Sequence, residues 1–84
     1  MERFYFTYGT SDSMPFHGGW SIVDAPDRTS AIALFRALHP DSTLGLLNCS
    51  SIYTEDDFVK TSMFYNGNFG YYCQEYINVE VFRG

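Results

Sequence analysis

Four residues of this chain are suited by type to hold a metal ion or to act as a nucleophile and its base: His17, His39, Cys49 and Cys73. Together they could supply a tetrahedral zinc site. Sites assembled by local geometry pair their ligands, as in C-x-x-C or H-x-x-x-H. None of these four is paired, and each stands alone on its own segment. The ordinary reading is two packed thiols and two histidines at the solvent edge. His39, Cys49 and Cys73 remain the ligand set of an alternative, a small-ligand or zinc-binding module. A cysteine nucleophile needs a thiolate within hydrogen-bond reach of a base. His39 precedes Cys49 by ten residues, but no elbow glycines or oxyanion-hole motif surround that cysteine. The expectation is therefore a non-enzymatic protein with no cofactor.

The acids Glu55, Asp56 and Asp57 adjoin one another. General acid–base work would require them to point into a cleft. At a helix start, complementarity to the helix dipole explains them, at a few tenths to about 1 kcal/mol each. Gly18-Gly19 and Gly67-x-x-Gly70 both lead into strands, so no helix N-terminus stands behind them to hold a phosphate. Neither matches G-x-x-x-x-G-K-[ST].

The elements that position these residues follow from periodicity. Phe4, Phe6 and Tyr8 share one face of a first strand, with Tyr5 and Thr7 on the other. Thr10 to Gly19 is a loop by composition, carrying Met14 and Phe16, residue types enriched at interface centres. Trp20 to Val23 forms a second strand, with Trp20 and Ile22 pointing the same way. Pro26 suits the first position of a helix and Asp27 its positive end. Ala31, Leu34, Phe35 and Leu38 then recur as one apolar stripe until Pro40 stops the helix. A short strand lies within Leu44 to Tyr53. Thr54 can cap a second helix that presents Phe58, Ser62 and Tyr65 on one face. Asn66 to Gly70 is a turn cluster. Cys73 to Phe82 reads as the longest strand, with Ile77, Val79 and Val81 opposite Tyr76, Asn78, Glu80 and Phe82.

The order β-β-α-β-α-β predicts an α+β fold. In it, a sheet of about four strands carries two helices on one face, a two-layer sandwich in a single compact domain over residues 1–84. Tyr5, Tyr76 and Phe82 are then candidates for the uncovered face, which would be a partner surface or a homodimer contact.

Composition bounds the function. The chain has 84 residues, 45% hydrophobic, 19% aromatic and 18% charged, which excludes disordered, collagenous and coiled-coil classes. No apolar run reaches the roughly 18 residues of a membrane span. Five Lys and Arg against ten Asp and Glu leave a formal charge of −5, with the cations scattered, so direct nucleic-acid binding is not expected. An acidic surface meeting a basic groove on another protein fits better. Two cysteines without a signal segment point to reduced, buried thiols in a cytoplasm. A Cys49–Cys73 disulfide is the alternative.

Over nearly its full length the chain resembles a group of small uncharacterised proteins of phages and mobile elements of gut Firmicutes. The residues that carry the resemblance are Gly18-Gly19-Trp20, Ala25-Pro26-Asp27-Arg28, Phe35 to Asp41, Leu47-Asn48-Cys49, Tyr53-Thr54-Glu55, Gly67 to Gly70 and Cys73-Gln74-Glu75. The resemblance brings no activity and no site residues. It implies genomic company in which small acidic proteins often inhibit bacterial defence, anti-CRISPR proteins among them. The expectation is a protein-binding module whose partner, such as a defence nuclease, meets Met14, Phe16, Tyr5, Tyr76, Glu55, Asp56, Asp57 and Glu80.

Overall fold

A computed structural model describes residues 1–78. Val79, Glu80, Val81 and Phe82, expected to extend the last strand, lie outside the described residues, and with them the Glu80 and Phe82 contacts. The elements are β1 (Glu2–Thr7), β2 (Trp20–Ala25), α1 (Arg28–Leu38), β3 (Ser51–Thr54), α2 (Glu55–Phe58), α3 (Met63–Asn66) and β4 (Cys73–Ile77). The fold is α+β, as expected, on a four-stranded sheet of order β3-β1-β2-β4. β1 pairs antiparallel with both β2 and β3, while β2 and β4 run parallel.

Strand alternation sends successive side chains of β1 to opposite faces. Phe4 and Phe6 meet Val23 and Ser21 across the β1–β2 ladder, and this face packs on α1. Phe6 stacks on Phe35 with ring centroids 4.5 Å apart. Tyr5 points the other way, in one row with Tyr53, Ile22 and Tyr76. Phe58 of α2 lies on that second face, stacked on Tyr5 at 4.0 Å. The helices are thus divided between the two faces. The sequence shows which residues of a strand share a side; it does not show which later element will cover that side.

Asp27 caps α1 by accepting the Ser30 N–H at 2.8 Å, and this bond holds its carboxyl below the usual range. The helix starts at Arg28, so Pro26 stands just outside the cap rather than at the first helical position. Ala31 and Phe35 are buried, but Leu38, expected on the same stripe, is exposed at the helix end. There the His39 N–H still donates to the Phe35 carbonyl, at 2.8 Å, before Pro40 ends the run.

Thr54 caps α2 as expected, accepting the Asp57 N–H at 3.2 Å. The single second helix nevertheless breaks in two. The Thr61 N–H and hydroxyl both donate to the Phe58 carbonyl, at 3.0 and 2.8 Å. That carbonyl would otherwise receive the Ser62 N–H in a continuing α-helix. α3 follows as a separate turn ending at Gly67, with Tyr65 exposed rather than sharing a buried face with Phe58.

Candidate functional site

A chain of polar groups crosses the first face beneath α1. A bulge opposite Trp20 and Ser21 leaves Gln74 extra in β4 and sets Glu75 opposite Ser21. Ser21 Oγ donates to Glu75 Oε1 at 2.7 Å and lies 2.7 Å from the Tyr8 hydroxyl. A hydroxyl has one hydrogen, so Tyr8 donates to Ser21 in turn. Burial pushes the Tyr8 phenol well above its ordinary range, which keeps it a neutral donor. His39 Nε2 reaches the same Glu75 oxygen at 2.5 Å. Serine, histidine and glutamate therefore meet, but both others converge on the carboxylate. A hydrolytic triad needs the imidazole beside the hydroxyl. Here Ser21 is fully buried and its proton goes to Glu75, so the group ties β1, β2, β4 and the end of α1 together.

The alternative ligand set is not assembled. His39 is engaged with Glu75, Cys49 packs against the first core, and Cys73 is exposed on β4, donating to the Glu75 carbonyl at 3.3 Å. Among the described residues no group of three or more His, Cys, Asp or Glu could hold a metal ion. Both thiols are free, and the exposure of Cys73 corrects the expectation that both are buried. Burial pushes the Cys49 thiol up to about 11, the opposite of an activated nucleophile.

Of the expected contact residues, Tyr5 is 6% exposed beneath Phe58 and offers no surface to a partner. Phe16 and Met14 are half-buried against the first core, and Phe16 sits edge-on to Tyr8 at 5.4 Å, because the loop folds over the open end of that core. Tyr76 is 46% exposed, with its hydroxyl on Asp24 and the Arg3 guanidinium 5.3 Å above its ring. Arg3 also grips Asp24 at 2.9 and 3.0 Å, holding that carboxyl below its usual range. Glu55, Asp56 and Asp57 are exposed on α2. Glu55 and Asp56 border an open cleft of about 420 Å³ with Glu2, Arg3 and Asp24.

Among the described residues, the largest exposed aromatic group is one that spacing in the sequence does not single out. It occupies residues 63–72, where Phe64, Tyr65, Phe69, Tyr71 and Tyr72 are all exposed. The two glycine clusters dismissed as phosphate cradles dock on each other to position it. Gly18 and Gly19 have φ of 70° and 67°, and a Cβ there would lie 2.6 Å from the Asn68 carbonyl oxygen and 2.3 Å from that of Tyr72. Asn68 is buried and its carboxamide donates to the Tyr8 and Gly19 carbonyls at 2.6 and 3.0 Å. The Asn68 and Tyr71 backbones bond in both directions, closing a two-residue turn. Its central residues, Phe69 and Gly70, have φ of 50° and 81°, as in a type I′ turn. Such a turn favours Asn-Gly; here a phenylalanine takes the asparagine's place, its side chain at the tip and 63% exposed. Tyr71 packs edge-on against His17, and the Tyr72 hydroxyl reaches the Tyr65 carbonyl at 3.3 Å. Phe64 links the group to Phe58 and hence to the acids of α2. The signal for this surface was present in the sequence: five aromatics in ten residues, with neither helical nor strand periodicity to bury them.

No described helix is long and apolar enough to cross a membrane. Comparison of the chain with protein-family models, with curated proteins and with solved structures found no match, so the site's own geometry is what bears on its role.

Proposed function

We propose that the protein is a non-enzymatic binding module of a phage or mobile element, an inhibitor of a bacterial defence system of the anti-CRISPR kind. It docks on a protein partner through the Phe69 turn and the aromatics around it. The observation that carries this reading is Phe69 itself. A bulky residue in the left-handed region is disfavoured by on the order of 1 kcal/mol relative to Gly or Asn. Burial of the ring does not offset that strain, because the ring is exposed. Neither turn propensity nor packing accounts for phenylalanine there, whereas recognition does: rigid aromatic rings on a fixed turn are typical of interface hot spots. Glu55, Asp56 and Asp57 add a negative flank suited to a basic groove.

The test is capture of partners from a gut Firmicutes host on immobilised wild-type and Phe69→Asn protein. Asparagine fits the turn, so the variant is expected to be more stable by about 0.5 kcal/mol yet to bind the partner at least about tenfold more weakly. Raising salt should weaken the wild-type complex. A partner held equally by the variant removes the turn from the interface. No stoichiometric partner at all overturns the binding-module reading.

A further inference from the structure

A second concave surface uses none of the aromatic residues. It is a cleft of about 510 Å³ between the first turn of α1, the loop preceding β3 and the start of β3. That volume is within the range of small-molecule sites. The hydroxyl-bearing residues Ser42, Thr43, Ser50 and Ser51 line it, as does Arg28. The rest of the wall is largely apolar, with Leu46 and Ile52 among it. Although the chain carries ten Asp and Glu, among the described residues no carboxylate lines this cleft. The Arg28 guanidinium makes no ion pair or hydrogen bond with a described residue, whereas Arg3 and Arg36 are each paired with an aspartate. Cys49, also in the wall, is kept neutral by burial and adds no negative charge.

We infer that this cleft binds a small organic oxyanion, a phosphate ester or a carboxylate with an apolar body. Arg28 and the hydroxyls receive the charged end, and Leu46 and Ile52 contact the body. Guanidinium donors form the stronger, charge-assisted kind of hydrogen bond with such oxygens. The hydroxyls, free to rotate, supply the remaining donors. In an acidic protein, an arginine without an ion pair in a hollow lined by no carboxylate gives an anion a local attraction that opposes the overall negative field.

The inference is tested by amide chemical-shift titration of the full chain with phenyl phosphate, phenylacetate, inorganic phosphate and benzyl alcohol. Saturable shifts at Arg28, Thr43, Ser50 and Ser51 are expected with one or both aromatic anions. Phenyl phosphate alone would assign a phosphate-ester site and phenylacetate alone a carboxylate site. Inorganic phosphate should bind more weakly, and benzyl alcohol should give no saturation. Arg28→Gln should weaken the anion at least about tenfold. Leu46→Asp, which adds a carboxylate to an exposed position of the wall, should do the same without touching Arg28. An unshifted remainder of the spectrum shows that each variant is folded. No saturation with either aromatic anion, saturation with benzyl alcohol, or wild-type affinity retained by both variants overturns the inference. The aromatic turn is intact in every variant, so failure here leaves the proposed protein-binding role untouched.

Discussion

The two faces of the sheet are built from the same kinds of residue to opposite ends. The first is closed by an eleven-residue helix, buries Phe4, Phe6, Tyr8 and Phe35, and gives every hydroxyl and carboxylate of its polar chain a partner. The second is covered by two four-residue helices, and its buried Trp20 indole N–H has no hydrogen-bond partner among the described residues. From its margin the aromatic residues run out into solvent. A long helix can present a continuous stripe; a single turn can bury one side chain, here Phe58, and leaves its neighbours exposed. Stability is concentrated on one side and accessible apolar surface on the other.

The largest effect expected from this difference is on core truncation. Phe35→Ala should cost about 3–5 kcal/mol, because the long helix that carries it cannot settle into the cavity. Phe58→Ala should cost less, about 2–3 kcal/mol, because a one-turn helix can settle into the space. Urea denaturation measures both, and equal losses would mean that the two faces are equally well built.

Next in size is the link between the glycine corner and the aromatic turn. Asn68→Ala strips a donor from the buried Tyr8 and Gly19 carbonyls and should cost about 1–3 kcal/mol. It should also shift the tyrosine and phenylalanine ring signals of residues 64–72 while leaving those of Phe6 and Phe35 in place. Ring shifts spread evenly over both faces would erase the distinction between them.

The smallest effect concerns the edge of the second face, where Arg3 holds Asp24. The Asp24 pKa is lowered in the folded state, so this stabilisation is present above the carboxylate's unfolded value, near 3.9. It is lost as pH falls through the lower folded value. Arg3→Gln should therefore cost up to about 1 kcal/mol at neutral pH, the partly exposed pair being screened by solvent. The difference from wild type should vanish in strong acid, and a cost that persists there would assign Arg3 a packing role on Tyr76 instead.

How far the sequence carries this picture depends on the range of each interaction. The sides of β1, the stripe of α1 and both helix caps depend on neighbours a few residues away, and spacing reveals them. Tyr5 was misplaced because its cover, Phe58, arrives from a helix whose side of the sheet no local pattern encodes. The chain from Tyr8 to His39 joins residues 13, 54 and 36 positions apart, so no motif could announce it. Phe69 is the reverse case. Its Asn-Phe-Gly setting and the crowding of aromatics around it are local, but a glycine-rich composition marks only a turn and not what the turn displays.

The Asn68 lock has a consequence in time as well as in space. Its bond to the Tyr8 carbonyl spans 60 residues, against 13 for the Tyr8–Ser21 bond within the β1–β2 pair. Closing the longer loop costs about 1.4 kcal/mol more chain entropy, so it gains by waiting until the sheet has already brought its ends together. The turn that displays Phe69 should then be assembled after the folding barrier and released first on the way back. Asn68→Ala would accordingly hasten unfolding and leave the folding rate almost unchanged. The turn proposed to meet a partner is thus the part most readily let go, and a bound partner would slow its release.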